Sequence, residues 1–125
     1  MRMLLTTLGL SLTTLYPFEA HATDITTLRK GMYVEQSVGC KGGGSVSSMT
    51  FDGRNLSGHY SVCLTRKQSA PHTYKSTCLE GQGQSWPKPE EIEASPDKDE
   101  FVWHIEVMSP TRYALDGTTY VFCGE

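Results

Sequence analysis

The sequence lacks any cluster of basic residues. Its 11 Lys and Arg are scattered among 14 Asp and Glu, for a formal net charge of -3, so the electrostatic footprint on which nucleic-acid binding rests is missing. It also lacks an apolar run long enough to span a bilayer: the stretch from Met3 to Leu15 is closed by Pro17 and Glu19, well short of about 20 residues. No membrane anchor is therefore expected. The four cysteines form no C-x-x-C and stand beside no paired histidines, the arrangement a zinc site needs, so neither a metal nor another cofactor is expected. There is no G-x-S-x-G, and Gly42-Gly43-Gly44-Ser45 is not followed by the Lys-Ser/Thr of a phosphate-binding loop. His59, His72 and His104 have no carboxylate at a recognised spacing. The chain reads as non-enzymatic, with no catalytic residues.

What is present begins with an export signal. Arg2 supplies a positive start, the apolar stretch follows, and Ala20-His21-Ala22 fits the small-x-small cleavage rule. Residues 1–22 are thus expected to be a cleaved signal peptide and residues 23–125 a single secreted β domain, periplasmic or fully secreted. In an oxidising compartment Cys40, Cys63, Cys78 and Cys123 imply two disulfides. A chain of this size buries a modest core, and cross-links commonly supplement it.

The apolar residues fall in short alternating runs separated by Gly, Pro, Asn and Asp, which predicts an all-β fold. Met32-Tyr33-Val34 starts a first strand, Ser45 to Phe51 a second, and Asp52-Gly53 marks a tight turn that would pair Phe51 with Arg54. Asn55 to Leu64 reads as one continuous strand with Leu56, Tyr60, Val62 and Leu64 on one face. A connection at Ser69 to His72 returns the chain into Thr73 to Leu79 and sets Cys63 opposite Cys78. Phe101, Trp103, Ile105 and Val107 alternate with His104 and Glu106, Ser109-Pro110 ends that strand, and Asp116-Gly117 makes a last hairpin with Tyr113 facing Tyr120. A turn or two of helix fits Thr23 to Lys30, with Asp24 as its cap. About seven strands make a small antiparallel meander that closes into a barrel or sandwich. Closure of the last strand on the first favours Cys40 with Cys123 and Cys63 with Cys78, one of three pairings that four cysteines allow.

Residues 81–100 differ from this scaffold. They hold three prolines, six carboxylates and two lysines, a long acidic, proline-rich loop of the kind that is either functional or simply solvated. Trp86 is its apolar anchor, and Glu90, Glu91 and Glu93 would steer a cationic partner protein.

The sequence resembles small four-cysteine exported bacterial proteins, through Gly31-Met32-Tyr33-Val34, Phe51-Asp52-Gly53-Arg54, the cysteines and Tyr120-Val121-Phe122-Cys123. Ser57-Gly58-His59-Tyr60 is similar to, and one residue shorter than, the Ser-Gly-x-x-Tyr loop of periplasmic inhibitors of C-type lysozyme, which are small β-barrels. The expected function is a soluble binding module, of inhibitor or immunity type, that engages its partner through loops. The alternative is a calycin-like carrier of a small apolar ligand, with Tyr60, Trp103 and Tyr120 lining a cavity.

Overall fold

A computed structural model describes residue 15 and residues 23–42, 47–81 and 86–125. Apart from Leu15, the expected signal peptide with its cleavage site lies outside the described residues, as do glycines 43 and 44. Eight strands follow one another: β1 (Gly31–Glu35), β2 (Ser48–Phe51), β3 (Leu56–Gly58), β4 (Ser61–Lys67), β5 (Thr73–Glu80), β6 (Asp99–Ser109), β7 (Arg112–Leu115) and β8 (Thr118–Gly124). They form one antiparallel sheet in the order β3-β2-β1-β8-β7-β6-β5-β4. Every strand lies beside its sequence neighbours and β1 beside β8, so the meander curls into a nearly closed barrel. Among the described residues no helix is long and apolar enough to cross a membrane.

The eighth strand corrects the reading of Asn55 to Leu64 as continuous. Leu56 and Cys63 are both buried although seven residues apart, and an unbroken strand would send them to opposite faces. The turn at His59-Tyr60 resets the alternation and leaves Tyr60 exposed. The Asp52-Gly53 hairpin is also longer than expected. Phe51 pairs with Leu56, and Asp52 Oδ1 accepts from the Arg54 and Asn55 amides at 2.8 and 2.6 Å, which stabilises a four-residue loop. The Asp116-Gly117 turn is as expected: Leu115 pairs with Thr118 and Tyr113 with Tyr120, with φ of 47° and 87° at the two central residues, the left-handed values of a two-residue hairpin.

Tyr33, Phe51, Leu56, Tyr74, Ile105 and Tyr113 fill the barrel, and Ile25 and Leu28 join them from the segment before β1. Asp24 Oδ1 accepts from the Thr26 amide at 3.1 Å and caps the 3-10 turn Ile25–Thr27. The Arg29 amide donates to Pro110 O at 2.7 Å, and the Tyr33 hydroxyl donates to Arg29 O at 2.6 Å. The N-terminal segment thus plugs the end of the barrel that carries the β4-β5 and β6-β7 turns.

The disulfides are Cys40–Cys123 and Cys63–Cys78, the favoured pairing. Cys63 sits directly across from Cys78 in the β4-β5 ladder, with Cα atoms 4.1 Å apart, the close approach of a pair that exchanges no backbone hydrogen bonds. Cys40–Cys123 ties the 3-10 turn Cys40–Gly42 to β8 across a separation of 83 residues. Cross-links of this kind each contribute about 2–4 kcal/mol.

Residues 81–100 are not a loop throughout. A short helix, α1 (Pro89–Ala94), packs Ile92, fully buried, against β4 and β5. Glu93 pairs with Arg66, Lys98 Nζ donates to Glu93 O at 2.9 Å, and Glu100 lies 3.4 Å from Lys75. Two of the six carboxylates, Glu93 and Glu100, are therefore laid onto basic side chains of the barrel wall.

The barrel's two ends of sheet, β3 and β4, meet without a ladder. Side chains bridge them: the Cys63 amide donates to Ser57 Oγ at 2.9 Å, the Thr65 amide to Asn55 Oδ1 at 2.9 Å and the Leu56 amide to Thr65 Oγ1 at 3.0 Å. Replacing Ser57 or Asn55 with Ala leaves a seam amide without its acceptor, and we expect each to lower unfolding free energy by about 1–2 kcal/mol in urea titrations. An unchanged midpoint would show that these bonds do not hold the seam.

Burial pushes the phenols of Tyr33, Tyr74, Tyr113 and Tyr120 above their ordinary value. In folded and unfolded chains alike these groups are neutral below about pH 10, so their contribution is fully present there. As pH rises through about 10 the unfolded chain sheds protons that the folded chain keeps, and stability falls. Urea midpoints that are flat from pH 7 to 9 and drop above pH 10 are expected.

Candidate functional site

At the barrel end opposite the N-terminal plug, the β3-β4 turn lies beside the end of β5. The Gly81 amide donates to Tyr60 O at 2.9 Å, and the His59 ring meets Tyr60 edge-on, with centroids 4.3 Å apart. His59 Nδ1 is in turn 2.9 Å from the buried Ser48 Oγ. Tyr60 is thereby fixed at its backbone and against its neighbour, yet 54% of it faces solvent.

Trp86 is held on the other side of the same hydrogen bond. Its ring lies over Gly81, where a Cβ would come within 2.6 Å of Trp86 Cε3 and 2.9 Å of Cζ3. Gly81 is buried and does not have a positive φ. The backbone therefore does not demand glycine here; the tryptophan seat does. Despite that seat, 56% of Trp86 is exposed. Two large rings are thus held in fixed positions, more than half in water, on either side of one backbone contact.

No family model, curated protein or solved structure matches the chain. The geometry alone carries the functional reading.

The residues expected to meet a partner, Trp86, Glu90, Glu91 and Glu93, are all exposed. Glu91 is turned back, with its Oε2 accepting from the Lys88 amide at 2.8 Å, and Glu93 faces Arg66. These two carboxylates fasten α1 and remain exposed. Glu80, exposed at the end of β5, adds a carboxylate beside the rings. Tyr60 was read as lining a cavity but faces solvent, because the turn at 59–60 swings it out of the sheet. Trp103 and Tyr120 do face inward, where they pack against the buried cluster. Tyr120 stacks on Tyr113 at 5.2 Å, and Tyr33 meets Tyr113 and Phe122 edge-on at 5.2 and 5.4 Å, so aromatic rings fill this part of the barrel. Among the described residues no group of three or more His, Cys, Asp and Glu could hold a metal ion.

Gly81 escaped the sequence reading, and Tyr60 was placed there inside the barrel rather than at its surface. The usable signal for Gly81 is its place just past a strand that ends in an exposed carboxylate, with a tryptophan five residues on.

Replacing Gly81 with Ala puts a methyl group where the Trp86 ring lies and should unseat the ring while leaving the barrel folded. In a Trp103→Phe background, where Trp86 is the sole reporter, its fluorescence should become more accessible to acrylamide, with a stability loss under about 1 kcal/mol. Unchanged quenching would mean that Gly81 does not hold the ring.

Proposed function

We propose that the protein is a non-enzymatic binding module of the periplasm or extracellular space, of inhibitor or immunity type, that contacts a partner protein through Tyr60 and Trp86. The observation that carries this reading is the exposed Trp86 on its glycine seat. Leaving more than half of a tryptophan in water forgoes burial that the core could have used. Holding it in place lowers the ordering cost of a later contact. Aromatic side chains presented in this way are the anchors on which interface energy concentrates.

The exposed carboxylates of Glu80 and Glu90 favour a cationic partner, which they would attract by long-range steering and by charge pairing at the rim. The two disulfides support export to an oxidising compartment.

A second reading, a carrier of a small apolar ligand, has one observation in its favour. The Tyr113 hydroxyl is buried with no hydrogen-bond partner among the described residues, and a bound molecule with a polar atom could satisfy it. A small molecule retained by the purified protein in native mass spectrometry would favour that reading.

For the binding module, immobilised wild-type protein and the double variant Trp86→Ala, Tyr60→Ser should be compared for partner capture from periplasmic and host extracts. The double variant is expected to weaken capture at least about tenfold while its thermal unfolding is unchanged. Equal capture by the two would overturn the assignment of the site.

A further inference from the structure

The β5-β6 ladder runs from Thr73 opposite His104 to Cys78 opposite Asp99 without a register shift. On its other side β6 pairs with β7 only from Ile105 onward. The first residues of β6 therefore overhang the β7-β8 hairpin and have a strand partner on one side only, among the described residues.

The direction of each backbone group follows from two bonds. The Ile105 amide donates to His72 O at 2.8 Å, toward β5, whereas the His104 amide donates to Asp116 Oδ1 at 2.9 Å, and His104 O accepts from the Asp116 amide at 2.8 Å, away from β5. Alternation along a strand then turns Trp103, Phe101 and Asp99 toward β5. Val102 and Glu100 present their N–H and C=O groups to the open edge. The Asp116 turn caps the edge at His104 and leaves those four groups beyond it.

The flanking side chains suit a docked strand. Val102 is 72% exposed and Phe101 46% exposed, and Phe101 stacks on Trp103 with centroids 6.3 Å apart. Natural proteins usually blunt such an edge with charge or cover it. Here the nearby cations are engaged, Lys98 on Glu93 O and Lys75 on Glu100, while Asp97 and Asp99 are exposed.

We propose that this edge accepts an extended, cationic segment of another polypeptide as an added antiparallel strand. The incoming backbone bonds to Val102 and Glu100, one of its faces packs on Phe101, and its basic side chains meet Asp97 and Asp99. A second copy of this chain fits less well, because antiparallel self-pairing about Phe101 sets Asp99 opposite Trp103 and Glu100 opposite Val102 and brings no cation to the carboxylates. The edge is separate from the Trp86 surface and stands whether or not that surface binds.

The probe is a blocked seven-residue peptide of four valines followed by three lysines, which sets the valines over Phe101 and the lysines toward Asp99 and Asp97 in an antiparallel dock, with a control in which every backbone amide is methylated. That control keeps charge and side chains but has no N–H to donate. In NMR titrations of the full mature chain, the first peptide should slow amide exchange at Glu100 and Val102 and bind at least about tenfold more tightly than the control. Val102→Pro removes an N–H that the β5-β6 ladder does not use, so the fold should persist and peptide binding should fall at least about tenfold. Trp86→Ala should leave it unchanged. Three outcomes would overturn the proposal: equal binding of the two peptides, unaltered exchange at Glu100 and Val102 at saturation, or a dimer in light scattering that Val102→Pro dissolves. The peptide-side control stands even if Val102→Pro does not fold.

Discussion

The junction between β3 and β4 is the constraint on which the rest of the structure depends. A meander that curls into a barrel must bring its first and last sheet strands together, and here those strands are consecutive in sequence. The turn at His59-Tyr60 reverses the chain at the point of closure. By resetting the side-chain alternation it lets Leu56 and Cys63 both face inward. Cys63 can then bond to Cys78 within the β4-β5 ladder, while its amide turns toward Ser57. Had β3 run straight into β4, either the disulfide or Leu56 would lie on the solvent face. The same turn carries Tyr60, whose carbonyl anchors Gly81 and with it the seat of Trp86.

The acidic segment shows how charge arithmetic can point to a partner when the first partner is the protein itself. Ion pairs between exposed groups such as Arg66 and Glu93 or Lys75 and Glu100 contribute about 0–1 kcal/mol each. They set where the segment lies more than how firmly it is held. A helix of this length has no stability of its own. Burial of Ile92, worth about 1.5–3 kcal/mol, is what makes α1 persist, and Pro89 at its start and the Glu91 contact with the Lys88 amide define its first turn.

Much of the scaffold was legible in the sequence because it is governed by short-range rules. Asp116-Gly117 names its own turn through the positive φ that glycine tolerates. The alternation of Phe101 to Val107 reads as a strand, and the spacing of Cys63 and Cys78 across a short connection sets their register. What was not legible depends on a single residue with no pattern around it. One apolar side chain, Ile92, has no periodicity to announce a helix. The Phe51 to Leu56 loop is two residues longer than its Asp-Gly pair suggests, because Asp52 gathers two further amides. The break at His59-Tyr60 is hidden by residues that alternate acceptably through it. For the site, Trp86 stood out by its chemistry, whereas Tyr60 could be placed only once the break was known.

The two ends of the barrel differ for a reason rooted in closure. Strands of a closed sheet must tilt and stagger, and here β6 is eleven residues long while β7 has four. β6 runs on past the start of β5 beside β7, and at the opposite end it overhangs the β7-β8 hairpin. At the other end Ile25, Leu28 and the Tyr33 hydroxyl seal the interior with apolar side chains and backbone contacts. A chain this small has few large apolar residues, and those committed to the plug serve stability. The aromatic side chains left in water, Tyr60, Trp86 and Phe101, all belong to segments at the unplugged end or leading from it. Stability alone gives no account of that distribution, since moving any one of them to a smaller polar residue would relieve exposed apolar area without opening the core. The recognition proposed for this end would account for it, because a surface that must bind has to leave that area uncovered until its partner arrives.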